Sequence, residues 1–282
     1  MVWTGSEFAI VWSEVSEIDG TYDIRFCRLD SDGWVIDNPI EPLIHTGENS
    51  LYPTVVWNSD NSEYALAWGE KAVLGLDSDI MFVTLNNNGE LKDDPVTMID
   101  TTLTSQKPVL IRNGTEYAIT WEDNTNGSFA IHFQSGITGT EKTIATSSSD
   151  LFSPVLAWTG DGYGIAWYEA GGTVKFTRLD TNGDITGSVL SAGDSEGDPA
   201  HPSIAWNGED FGITWQETTD DIVRIHFILS EALENGSEDP FLFPEPTGNS
   251  GMSCLAWNGE YFTVVWSGRM AWDANNSIYF AF

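Results

Sequence analysis

Positive charge is scarce in this chain of 282 residues: 11 Lys and Arg stand against 43 Asp and Glu, a formal net charge of -32. Such a surface repels phosphate backbones and anionic headgroups, which excludes nucleic acid and membrane surfaces as partners. No apolar run approaches the roughly 18 residues that a spanning helix requires, so membrane insertion through a helix is excluded as well. A basic segment leading into an apolar core and a small-residue cleavage site is also missing, so no secretory signal lies among these residues. The two cysteines, Cys27 and Cys254, are too few for a disulfide scaffold; both sit in apolar strand-like sequence and are expected to pack as small hydrophobes. Four scattered histidines, with no H-E-x-x-H, C-x-x-C pair, G-x-S-x-G or phosphate loop, leave zinc, serine-elbow and nucleotide chemistry without their residues. What the chain does have is apolar content of 41% and aromatic content of 12%, too rich for disorder. Acidic excess with few lysines fits an extracellular or cell-surface protein.

A repeat dominates the sequence. The unit Trp206-Asn207-Gly208-Glu209-Asp210-Phe211-Gly212-Ile213-Thr214-Trp215 recurs as Trp257 to Trp266, Trp158 to Trp167, Trp3 to Trp12 and, two residues longer, Trp57 to Trp68. Arg112 to Trp121 keeps the spacing with Arg in the first place, which makes six copies averaging 47 residues. That length suits one four-stranded sheet per copy, and the 3.6-residue periodicity of helical repeats is absent. The copies run approximately 1-50, 51-105, 106-151, 152-200, 201-250 and 251-282, within a single domain spanning 1-282.

Each copy reads as four strands. Strand A begins at Pro53, Pro108, Pro154 or Pro202 and ends on the first Trp position. An Asn-Gly or Thr-Gly turn leads to strand B, where Phe8, Ile10 and Trp12 face one way and Ala9 and Val11 the other. Bulky on one face and lean on the other, with charge on neither, such a strand needs cover on both sides. Strand C carries Phe26, Phe82, Phe133, Phe176, Phe227 or Phe280 at one fixed place. Three copies end it in polar glycine turns, Asp30 to Gly33, Asn86 to Gly89 and Asp180 to Gly183. A looser strand D follows around Ile40 to Ile44 and Val96 to Ile99, while the stretches Gln134 to Ile144 and Ser230 to Phe243 lack a clear pattern.

These units resemble the tandem-repeat β-propellers of large extracellular bacterial and archaeal proteins, which read roughly W-N-G-x-x-[YF]-x-[VIL]-x-W-x-[DE]. The resemblance covers essentially the whole chain. It implies an all-β fold, a six-bladed β-propeller of four-stranded antiparallel blades with strand A lining a central channel, and it says little about activity. The chain opens inside a strand A and stops after a strand C, so 23 strands are expected and the last blade lacks its outer strand. Its open edge is expected to be completed by a neighbouring domain or subunit.

Loop lengths mark the variable face. From the strand-B Trp to the strand-C Phe the spacing is 14, 14, 12, 9, 12 and 14, whereas the A-B spacing is 9 in all copies but one. The B-C and D-A loops share one face, which is the expected binding face. Two residues beyond each strand-B Trp stands Glu14, Glu70, Asp123, Glu169 or Glu217, with Gly268 in the sixth copy. In a closed ring these carboxylates would form a circle suited to Ca²⁺ or a cationic ligand. As repeat positions they would equally accept hydrogen bonds from loops or pair with Arg25, His132, Lys175 or His226, which precede the strand-C Phe. In the last B-C loop, Trp272 beside Arg269 is positioned to stack on a sugar or anchor a protein.

Sharper motifs fail. The polar turns lack the S-x-D-x-G-x-T-W of sialidase Asp-boxes, and the first puts Arg28 and Ile36 where a D-x-D-x-D-G-x-x-D calcium loop needs ligands. The first expectation is therefore a non-catalytic module binding glycan or protein on the B-C/D-A face, with no required cofactor. The alternatives are a structural propeller completed by another chain or domain, and a carbohydrate-active hydrolase using two ring carboxylates about 5 to 10 Å apart.

Overall fold

The computed structural model describes residues 1–36, 41–75, 77–102, 104–124, 127–192, 197–220, 222–236, 240–243, 250–268 and 277–282, Ser250 by its backbone alone. Their strands pair into six antiparallel sheets, each in chain order from strand A outward. Val2–Trp3, Phe8–Val15 and Tyr22–Leu29 form the first sheet; Asn49–Asn58, Glu63–Lys71, Ser78–Asn86 and Val96–Ile99 form the second. The third comprises Ser105–Arg112, Tyr117–Asp123, Ala130–Ser135 and Lys142–Ala145; the fourth, Leu151–Trp158, Gly162–Glu169, Val174–Asp180 and Leu190–Ala192. Asp198–Trp206, Phe211–Thr219, Ile222–Leu229 and Phe241–Leu242 make the fifth, and Ser250–Trp257, Phe262–Gly268 and Ser277–Ala281 the sixth. The fold is the expected six-bladed β-propeller. Among the described residues the first and sixth blades have three strands, and Ile44 bridges to Ile24 where an outer strand of the first would run.

By packing, the chain divides into two compact units, Met1–Ser128 with His132–Lys142 and Phe129–Ile131 with Thr143–Phe282. In the first, Trp68 and Trp121 have no exposed surface, and Phe26 and Phe82 of strands C meet Tyr64 and Tyr117 of the following blades at 5.2 and 5.6 Å between ring centroids. The second repeats this with Trp167 and Trp215 buried, Phe176 against Phe211 at 5.4 Å and Phe227 against Phe262 at 5.6 Å. The aromatic after the A-B turn is thus the neighbouring blade's contact, each pair adding about 0.5–1.5 kcal/mol to burial. The A-B turns close through side chains: Asn207 Oδ1 accepts the N–H of Glu209 and Asp210 at 2.8 and 2.6 Å, while Gly208 takes φ 101°.

Three features go beyond the sequence reading. Strand A carries a register shift in five blades, and the residue at each shift, Tyr52, Lys107, Ser153, His201 or Met252, is left-handed with φ between 50° and 55°. Four of these stand directly before the prolines, where αR is disfavoured and a missing N–H does no harm at a bulge. A short helix, Ser230–Glu234, breaks the all-β expectation: Asp210 Oδ2 accepts the Glu231 N–H at 3.0 Å and its other oxygen the Ser230 hydroxyl, capping that turn. Both cysteines are free, but only Cys27 is buried; Cys254 is exposed, contrary to its expected packing.

Candidate active site

The polar C-D turns are occupied by their own backbone. Asp30 Oδ1 accepts the N–H of Asp32 and Trp34 at 3.0 and 2.8 Å, and Asp180 Oδ1 those of Asn182 and Asp184 at 2.8 and 2.9 Å. These are side-chain-closed turns with glycine at positive φ.

The repeat carboxylates lie at the ends of strands B, each held within its own blade. Glu14 Oε2 is 2.9 Å from Arg25 Nε, and Glu169 Oε2 is 3.8 Å from Lys175 Nζ while its other oxygen accepts from Ser147. Asp123 Oδ2 accepts from Ser105 Oγ at 2.7 Å, and Glu217 Oε2 from the indole of Trp215 at 3.1 Å. His132 instead pairs with Glu141, and His226 stacks on Trp215 at 5.2 Å. Among the described residues, no group of three or more His, Cys, Asp and Glu comes together to hold a metal. Arg269 and Trp272 lie outside the described residues.

Glu70 differs in its company. Its Oε2 accepts from Trp68 Nε1 at 2.8 Å and Ser50 Oγ at 2.6 Å, and its Oε1 from Thr46 Oγ1. Directly across the ladder from it, on strand C, stands a second carboxylate, Asp79. Residues so opposed share one face of the sheet with Cβ atoms about 4.5–5.5 Å apart, and like charges there repel. Asp79 Oδ1 accepts the Thr101 N–H at 3.1 Å. Burial holds the Asp79 carboxyl above its ordinary range of 3.8 against that hydrogen bond, and Asp100 and Asp77 push it further up. Both carboxylates are half-buried, and among the described residues neither has an ion-pair partner within salt-bridge distance. The first blade has the same cross-strand pair, Glu14 opposite Asp23, but there Arg25 holds Glu14 and His45 Nδ1 holds Asp23 at 2.7 Å. Among the described residues, the second blade leaves both carboxylates to hydrogen-bond donors.

One charged residue nearby was not singled out from the sequence. Glu122 follows Trp121 at the position that Ser13, Gly69, Tyr168, Gln216 and Ser267 occupy in other copies, and it has no exposed surface. Its oxygens accept from Gln106 Nε2 at 2.9 Å and Lys107 Nζ at 3.0 Å. A lone charge at a lean-face position was the available signal.

No protein-family model matches the chain, and no curated protein matches it. Solved structures do. A mutant of Trypanosoma rangeli sialidase displaying trans-sialidase activity is similar at 11% identity and TM-score 0.58, over 98% of this chain and 52% of that one. A Mycobacterium tuberculosis puromycin-hydrolyzing peptidase is similar at 14% identity and TM-score 0.58, over 93% and 41%. An endo-arabinase from Bacteroides thetaiotaomicron VPI-5482 is similar at 12% identity and TM-score 0.49, over 81% and 92%. This chain spans about half the length of the sialidase and less of the peptidase. Likeness at these identities establishes the fold. The two of these structures with TM-scores above 0.5 are named as a sialidase and a peptidase, and on that finding the expectation of a non-catalytic binding module is corrected.

Proposed function

We propose that the protein is a carbohydrate-active hydrolase in which Glu70 and Asp79 are the two catalytic carboxyl groups. The observation that carries this reading is their direct opposition across strands B and C, with no ion-pair partner for either among the described residues. Glycoside hydrolysis requires one carboxyl protonated and one ionised at working pH. Asp79, raised by burial and by Asp100 and Asp77, suits the acid. Glu70, gripped by an indole N–H and two hydroxyls, suits the carboxylate that faces the anomeric carbon.

Retaining enzymes hold their two carboxyl groups about 5–5.5 Å apart, a spacing within reach of side chains directly opposed across a ladder. Glu70 then attacks the anomeric carbon as Asp79 gives its proton to the departing glycosidic oxygen. In the second step Asp79, now ionised, takes a proton from water; the resulting hydroxide oxygen bonds to the anomeric carbon and Glu70 leaves as carboxylate. Proton and electron pair both return to their starting places.

The names of similar structures support testing glycans first, arabinan and sialosides among them. The net charge of -32 supports an extracellular or cell-surface setting, as does the repeat's resemblance to extracellular propellers. No described helix is long and apolar enough to cross a membrane. Release of reducing sugar from a polysaccharide panel tests the reading. Wild-type protein is expected to act on at least one member, with Glu70→Gln and Asp79→Asn each lowering kcat at least 100-fold. Hydrolysis that survives both substitutions would overturn the assignment.

A further inference from the structure

Next to this carboxyl pair, strands A of the second and third blades each carry a left-handed residue. Tyr52 has φ 55° and Lys107 φ 50°, at corresponding bulges of the second and third blades. Left-handed conformations at residues other than Gly or Asn cost free energy, and a bulge re-aims the side chain it carries. Here the two re-aimed side chains meet: Lys107 Nζ lies 5.9 Å from the centroid of the Tyr52 ring. The same ammonium is 3.0 Å from Glu122 Oε1, and Glu122 is completely buried, so a fixed carboxylate sets where the lysine ends. Gln106 Nε2 holds the other oxygen of Glu122. Gly69 packs close to this strand: a Cβ there would make ordinary contact with Gln106 Cα at 3.8 Å and the Leu51 carbonyl at 3.6 Å.

This arrangement adjoins the proposed catalytic pair. Ser50, which donates to Glu70, is two residues before Tyr52 on the same strand, and Leu51 pairs with Gly69. Yet Tyr52 keeps 49% of its surface exposed beside the proposed catalytic pair. Aromatic rings offer an apolar platform to the C–H face of a sugar, and an ammonium beside them donates to hydroxyls. Because Glu122 neutralises Lys107, the pair exerts no net pull on an anionic sugar, and the surrounding charge of -32 repels one.

We propose that Tyr52 and Lys107, with Glu122 fixing the lysine, form a sugar-binding subsite for a neutral glycan. This rests on the hydrolase reading for its biological use but not for its test. Binding of neutral pentose and hexose oligosaccharides is measured by calorimetry on the Glu70→Gln protein, with oligogalacturonate and sialyllactose as acidic counterparts. Tyr52→Asn removes the ring while suiting the left-handed backbone, and Tyr52→Phe keeps the ring. The expected result is binding of at least one neutral oligosaccharide, weakened about tenfold or more by Tyr52→Asn, retained by Tyr52→Phe, and stronger than that of either acidic glycan. No neutral binding, affinity unchanged in Tyr52→Asn, or preference for an acidic glycan would overturn the subsite. If Tyr52-dependent binding occurs in a protein that hydrolyses nothing, the subsite stands and the catalytic assignment falls; hydrolysis with a KM indifferent to Tyr52→Asn gives the reverse.

Discussion

Trp68 donates its indole N–H to Glu70, two residues further along the same strand, at 2.8 Å. Trp215 and Glu217 repeat the bond at 3.1 Å. In the third blade the corresponding residue is Asp123, one methylene shorter and bonded to Ser105, and the buried indole Nε1 of Trp121 has no hydrogen-bond partner among the described residues. A buried donor left unpaired costs about 1–3 kcal/mol.

Asp123→Glu should therefore stabilise the protein by about 1 kcal/mol. The second blade is the template, since Glu70 reaches both Trp68 and Ser50 from the same repeat positions that Asp123, Trp121 and Ser105 hold in the third. A thermal melt should rise by roughly 2 °C for a chain of this size. A lower midpoint would mean that the extra methylene does not fit.

Asp79→Asn should trade activity for stability. The folded carboxyl is raised above 3.8, so its ionised form costs the native state whatever that shift is worth, and the cost is present above the folded pKa and absent below about 3.8. The asparagine protein should melt higher than wild type at neutral pH, with the gap closing in acid. As the proposed general acid, Asp79 should also give wild-type kcat a limb that falls as pH rises through its raised pKa. A wild-type profile without that limb would contradict the role.

His45 supplies a second pH signature. The Asp23 hydrogen bond, 2.7 Å from Nδ1, raises its pKa above 6.5 against partial desolvation, with Asp23 and Asp19 charge adding to the rise. The stabilisation is fully present below about pH 6.5 and is lost as pH rises through the folded pKa. Melting temperatures of His45→Gln should fall below wild type at pH 5 to 6 by more than at pH 9. An equal deficit at both ends would show that the imidazole charge contributes nothing.

The blades and their strand order were legible because the repeat writes them six times. The strand-B residues Trp68, Trp121, Trp167, Trp215 and Trp266 and the strand-C residues Phe26, Phe82, Phe133 and Phe176 are buried, whereas Trp3, at the strand-A Trp position, and Phe280, on strand C, are exposed; the Asn-Gly turn reports its own geometry. The bulges were not legible: Tyr52, Lys107, Ser153, His201 and Met252 carry no glycine or asparagine to betray a left-handed backbone, and only the following prolines hinted at a break. Asp79 was hidden for another reason. Its partner across the ladder depends on register through a B-C loop whose length changes between copies, so Glu70 was visible as a repeat residue while the residue opposite it was not. The Ser230–Glu234 helix was missed because its cap, Asp210, comes from a turn 20 residues earlier in the chain.

Covalent trapping tests the central claim most directly. A 2-deoxy-2-fluoro glycoside with a good leaving group, matched to the sugar the protein hydrolyses, slows the second step and lets the glycosyl-enzyme accumulate. Peptide mapping by mass spectrometry should place the sugar on Glu70, with Asp79→Asn slowing its attachment. A label on any other residue, or hydrolysis that proceeds with inversion and no label, would contradict the account.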